Sequence, residues 1–179
     1  MAEIRPIGFS LQERVSDEVI RYVDLGNAYF GKAFPVPPIR FDLRGATAGM
    51  YKVRGSSRII RFNPWVFAKY YSDSLETTVP HEVAHYLADM VYGLRHIRPH
   101  GPEWKAIMAH FGADDSVTTR YSMEGIPRRT VRRFHYRCGC GGQPLTAYRH
   151  NRIVRGEAVY WCRLCGQQLE FAGICGTST

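Results

Sequence analysis

Thr77-Thr78-Val79-Pro80-His81-Glu82-Val83-Ala84-His85-Tyr86-Leu87-Ala88-Asp89-Met90-Val91-Tyr92-Gly93 is the stretch on which the reading of this chain turns. Pro80 suits a first helical turn and Gly93 is a natural stop, so a helix is expected from about Thr77 or Thr78 to Tyr92. On that helix His81 and His85 stand at i and i+4, one above the other on a single face. Two imidazoles so placed can reach one metal ion. Glu82 projects beside them, where a carboxylate can take a proton from a water activated at the metal. Val83, Ala84, Leu87 and Ala88 supply the apolar flank that would bury the helix.

Two histidines do not complete a tetrahedral site, because a catalytic zinc usually takes three protein ligands. His96, His100, Glu103 and His110 follow closely. His100-Gly101-Pro102 precedes the next helix, expected from Pro102 to about Gly112. His100 would therefore stand on a fixed element, with Gly101 letting backbone pass close to the metal. His100 is the preferred third ligand. Glu103 and His96 are held in reserve, and His110 reads as a packed or surface histidine.

Outward from the motif, Leu11 to Phe30 carries Val15, Val19, Tyr22 and Val23 at helical spacing, and Gly31 ends it. Residues 39–43 and 58–62 read as strands, with a third near 47–53. Asn63-Pro64 opens a short helix. Around 134–137, 145–148, 153–154 and 158–161 the apolar and β-branched pattern predicts short strands. The strand around Ile59–Asn63 could flank the cleft and pair with an extended substrate, or be an ordinary core strand.

All five cysteines of the 179-residue chain lie in its last 42 residues. Cys162 and Cys165 have zinc-knuckle spacing, and Cys138 and Cys140 can supply two further thiolates. Together they read as a closed four-cysteine structural zinc site. His150 or His135 could replace one cysteine, and Cys175 reads as a spare thiol. So small a module lacks the core to fold alone, so metal would contribute its folding energy.

The formal charge is +8, and residues 120–179 hold ten arginines against three glutamates. Arg128, Arg129, Arg132 and Arg133 crowd one short run, with Phe134, Tyr136, Tyr148, Tyr160 and Trp161 nearby. Arginines beside aromatics suit phosphate contact with base stacking, single strands above all. A plain solvated basic surface is the competing reading. No apolar run approaches the roughly 20 residues of a membrane span. The start has no signal-peptide pattern, and a cytoplasmic location is expected.

His81-Glu82-Val83-Ala84-His85, followed by His100-Gly101-Pro102-Glu103-Trp104, resembles the SprT family of zinc metallopeptidases, related to the metazoan Spartan proteases that cleave proteins crosslinked to DNA. The resemblance runs from about residue 9 to 172. In its C-terminal part, Arg149-His150-Asn151-Arg152 through Gly156-Glu157-Ala158-Val159-Tyr160 resembles the ribbon of bacterial SprT proteins. The resemblance implies zinc on His81, His85 and His100, with Glu82 catalytic. The interval between the second and third histidine is longer than in metzincins, so no Met-turn is expected.

The expected fold is α+β, with a zincin-like metallopeptidase domain of helices packed on a small sheet over residues 1–118. A basic linker over 119–133 and a β zinc ribbon over 134–174 would follow. The expected function is hydrolysis of peptide bonds, on a protein substrate bound to or crosslinked with DNA. A nucleic-acid binding zinc protein without peptidase activity is the alternative, and a metallopeptidase indifferent to nucleic acid is a third.

Overall fold

The structure is a computed structural model and describes residues 4–116, 121–127 and 132–174. The chain divides into two compact units, residues 1–128 and 129–179. The first mixes helices with a small sheet. Helix α1 (Phe9–Phe30) buries Val15, Val19, Tyr22 and Val23, the 3.6-residue stripe that predicts it. Gly31 closes it at φ 61, with Gly31 N–H donating to Ala28 and Lys32 N–H to Asn27. Such a left-handed cap suits glycine.

Three strands form one sheet in the order β1-β3-β2: β1 (Ile39–Arg40), β2 (Gly49–Arg54) and β3 (Ser57–Phe62). β3 is central, parallel to β1 and antiparallel to β2 through a tight turn at Gly55-Ser56. β1 is shorter than the expected 39–43, although Leu43 N–H still donates to the Phe62 carbonyl at 3.1 Å, and Asp42 pairs with Arg61 at 2.7 Å.

Asn63 caps helix α2 (Pro64–Lys69) by accepting from Trp65 and Val66 N–H, while its amide donates to the Gly45 and Thr47 carbonyls. A six-residue helix α3 (Tyr71–Glu76) follows, which the sequence reading had not singled out. Helix α4 (Thr78–Tyr92) then runs through the middle of the unit, with Val79, Val83, Ala84, Tyr86, Leu87 and Ala88 at most 1% exposed. It is crossed by α1 so closely that a Cβ on Gly26 would lie 2.2 Å from Leu87 Cδ1. Helix α5 (Pro102–His110) packs against α4 and buries Trp104, Ile107 and Met108. Residues 121–127 lie on the same unit. Lys69 Nζ donates to the Ser122 and Glu124 carbonyls, and Tyr121 stacks on Tyr70 at 4.5 Å between centroids.

The second unit is a three-stranded antiparallel sheet, β5-β4-β6, from β4 (Arg133–Cys138), β5 (Gly141–Thr146) and β6 (Glu170–Ile174). Its buried core is four residues, Tyr136, Leu145, Cys162 and Leu169. Of the strand expected at 145–148, Leu145 and Thr146 belong to β5, whereas helix α6 (Ala147–Val154) takes 147–148 and the strand expected at 153–154. Thr146 initiates the helix, its hydroxyl accepting from Arg149 N–H at 3.5 Å, and no α6 residue is buried. The expected strand at 158–161 reduces to one bridge, Trp161 to Gln168. Among the described residues, no helix is long and apolar enough to cross a membrane.

Candidate metal centre

His81 and His85 rise from successive turns of α4, and His100 reaches them from the loop before α5. The three Nε2 atoms lie 3.2, 3.0 and 3.0 Å apart. Three nitrogens bound tetrahedrally to zinc at about 2.0–2.1 Å would stand about 3.3 Å apart, so the triangle fits one ion. Trp104 backs all three rings, at 4.8 Å from His81 and His100 and 5.6 Å from His85. Its indole N–H donates to the His81 carbonyl at 3.2 Å.

Burial lowers the His81 imidazole to about 4 and His85 to about 3, each helped by the neighbouring rings. His100 is lowered by burial as well. All three are therefore neutral near pH 7, the form that ligates metal. His100 is the one described residue other than glycine with positive φ, 56°. A left-handed backbone there costs on the order of 1 kcal/mol and aims the ring at its two partners.

Glu82 is 6% exposed. Burial raises its carboxyl to about 7, against the opposing donation of Tyr51 N–H, which is 2.6 Å from Oε2. Gly49 permits this approach of β2, because a Cβ there would come within 2.7 Å of Glu82 Cγ, Glu82 Oε1 and Thr78 Cγ2. A cavity of about 530 Å³ opens beside the centre, lined by Met50, Val53, Leu94, Ile97 and Trp104 among others. A second, of about 330 Å³, meets His81 and Glu82 from the side of Asp73, Thr77 and Tyr121.

Asp89, one turn beyond His85 and 5% exposed, organises the surroundings. One oxygen accepts from Tyr51 O–H and Arg58 Nε, each at 2.6 Å, and the other from Leu94 N–H at 3.2 Å. Although burial alone would raise its carboxyl, these donors and the Arg58 charge hold it below the ordinary value. One carboxylate thus ties α4 to the β2–β3 hairpin and to the loop that leads to His100. The sequence reading missed Tyr51, Arg58, Trp104 and Asp89 as parts of the site. The available signal was Asp89, a charge on the same face as His81 and His85 at a further i+4 step.

In the second unit the sulfurs of Cys138, Cys140, Cys162 and Cys165 lie within 4.8 Å of one another. Backbone N–H groups of Cys165 and Leu164 lower the Cys162 thiol to about 6, while the neighbouring thiols push Cys140 up to about 12. Two thiols raised and two lowered by their neighbours, with backbone amides directed at Cys138, Cys162 and Cys165, form a donor set for a cation. Among the described residues, these cysteines and the three histidines are the groups of His, Cys, Asp and Glu placed to share an ion. His96, Glu103, His110, His135 and His150 belong to neither. His110 stacks on Tyr29 at 4.1 Å, and His150 stacks on Phe134 at 3.6 Å. Arg132 and Arg133 are exposed, while Arg128, Arg129 and Cys175 lie outside the described residues.

Helices on a small sheet, three convergent imidazoles and a buried glutamate define a protein built around possible metal-binding sites. The SprT-like family model matches residues 20–123. Protein SprT of Vibrio parahaemolyticus is 37% identical over 165 residues, 92% of this chain and 96% of that relative. Protein SprT of Yersinia pseudotuberculosis is 34% identical over 94% of this chain and 95% of its own length. Protein SprT of Pseudomonas paraeruginosa is 39% identical over 81% of this chain and 86% of its own. No solved structure matches. The chain belongs to the SprT-like family, a metallopeptidase-like family.

Proposed function

We propose that the chain is a zinc-dependent metalloprotease, with a zincin-like first unit and a zinc ribbon as its second, acting on proteins bound to or crosslinked with DNA. The observation that carries the reading is the joint placement of three neutral imidazoles and a buried carboxylate that is not one of the ligands. A closed structural site has no use for Glu82, whereas hydrolysis requires a base beside the metal.

His81, His85 and His100 would hold the ion. When bound, zinc supplies Lewis acidity toward a carbonyl and toward water. Glu82 takes the proton of the attacking water and returns it to the departing amine. Tyr51 N–H holds Oε2 and so fixes Oε1 as the oxygen that remains free to do so. The strand suited to an extended substrate is β2, which pairs with no second strand among the described residues, although Tyr51 N–H on it is taken by Glu82. β3, which holds Ile59 to Phe62 of the Ile59–Asn63 stretch considered from sequence, lies between β1 and β2. Trp104 packs against the three imidazoles on one flank.

The ribbon's four cysteines would hold a second, closed zinc. Arg132 and Arg133 are exposed and positively charged, which suits a nucleic-acid phosphate backbone. DNA as a partner, single strands favoured, and a cytoplasmic location belong to the same proposal.

Cleavage of a basic protein, with and without single-stranded DNA, tests the reading when the native chain is compared with Glu82→Gln. Loss on the order of 10²–10⁴-fold in the variant, with metal content unchanged, is expected. DNA should stimulate the native chain. Equal activity in both proteins would overturn the role of Glu82. No cleavage by either, with zinc and DNA bound, would favour a nucleic-acid binding zinc protein without peptidase activity.

A further inference from the structure

The sheet of the first unit has two unlike faces. Tyr51, Arg58, Ile60 and Phe62 turn toward α4. The opposite face carries Arg40 on β1, Arg61 on β3, and Lys52 and Arg54 on β2. Strand register sets them in order, with Arg40 beside Arg61, Lys52 beside Ile59 and Arg54 beside Ser57. Asp42 is the one acid among them, and it is engaged with Arg61 at 2.7 Å. Arg40, Lys52 and Arg54 are exposed and form no ion pair among the described residues. A shallow depression of about 270 Å³ lies between these side chains.

We infer that this face is a second nucleic-acid contact, one that seats a phosphodiester backbone on the unit that carries the histidine centre. The formal charge of residues 1–119 is close to balanced, so the patch arises from folding, which gathers three dispersed segments onto one surface. Register sets Arg40 about 4.8 Å from Arg61 across the sheet and Lys52 about 6.7 Å from Arg54 along β2, with Lys52 on the diagonal from Arg61. Guanidinium groups fixed in this way present forked donors to phosphate. Ile59 is the one apolar residue lining the depression. A docking site for a folded protein would offer an aromatic or aliphatic anchor, and a membrane surface would want apolar groups to insert. Phosphate contact needs neither.

The position on β2 gives the patch its consequence. Tyr51 N–H holds Glu82, and the next residue, Lys52, projects from the other face. A nucleic acid seated here lies one strand away from the carboxylate. The inference concerns binding and leaves the peptidase reading aside, so an inactive chain would still test it.

The test uses the zinc-loaded full chain and a fluorescent single-stranded oligonucleotide, titrated over a range of salt. The sheet variant R40E/K52E/R54E is compared with R5E/R14E/K32E, which changes net charge equally at exposed positions elsewhere. The sheet variant should bind at least about tenfold more weakly at 0.1 M salt, its log–log salt slope falling by about 2, from about 0.7 per lost phosphate contact. The control variant should lose less than about threefold. If the charge reversals impair folding, seen as a shifted thermal melt, K52Q/R54Q supplies the same reading with a slope change of about 1.4. Equal losses in the sheet and control variants, or none in either, would overturn the inference. So would competition by polyglutamate of matching charge as effective as that by unlabelled oligonucleotide, which would assign the face to an acidic polypeptide.

Discussion

The histidine centre and the cysteine centre are both donor sets, but they sit in very different surroundings. Around His81 and His85, α4 is packed on by α1, α5 and the sheet, within a core of seventeen buried residues. Around the cysteines the buried core is four residues, of which Cys162 is itself one. The first centre is carved into a unit whose apolar burial suffices to fold it. The second has no comparable burial, so its ion would have to supply the missing cohesion. Under the proposed function, the first metal would be a reagent and the second a staple.

Chelation gives the largest contrast. Metal binding in small zinc modules contributes roughly 10 kcal/mol or more of apparent folding free energy. Removing metal from the full chain should release hydrogen-exchange protection throughout β4, β5 and β6 while α1 and α4 keep theirs. Equal loss in both units would break the comparison.

Next in size is Asp89→Asn, which leaves Arg58 without its charge partner and weakens the tie among hairpin, helix and loop. Since Arg58 is partly exposed, about 2 kcal/mol of stability should go, read by denaturant melts. The pH dependence has a definite sign. The folded carboxyl lies below its unfolded value, so its contribution is complete above about pH 4 and fades as pH falls through the folded value. The gap between native and variant stabilities should therefore close in acid. A constant gap would mean that packing, not charge, holds Asp89.

Gly49→Ala sharpens the comparison within the first unit. The added methyl must displace Glu82 or Thr78, at about 1–2 kcal/mol in stability. Cleavage should also fall, on the order of tenfold or more, because the base is moved. Unchanged cleavage would show that Glu82 has freedom that its burial denies.

Much of this contrast was legible in the chain. The His81-Glu82-Val83-Ala84-His85 spacing declares its geometry because a helix is a fixed lattice, and His100 followed from the glycine and proline behind it. α6 was misread because Ile153 and Val154 favour strands on their own, whereas the Thr146 cap and the polar run Arg149–Arg152 complete a helical turn. The Asp89 network was hidden for another reason. Tyr51 and Arg58 lie 38 and 31 residues away, and only the pairing of β2 with β3 brings them to one carboxylate. The basic face of the sheet shares that origin, for its cations are dispersed in sequence and assembled by register.

His100 carries a consequence for anyone who would improve this molecule. Its left-handed backbone is a conformation that glycine adopts freely and histidine resists. His100→Gly should therefore raise the metal-free unit's melting point while abolishing the third ligand. A screen that selects on heat resistance alone would be drawn to this position and would enrich for sterile proteins. Robustness and the capacity to hold a metal would here compete for a single residue.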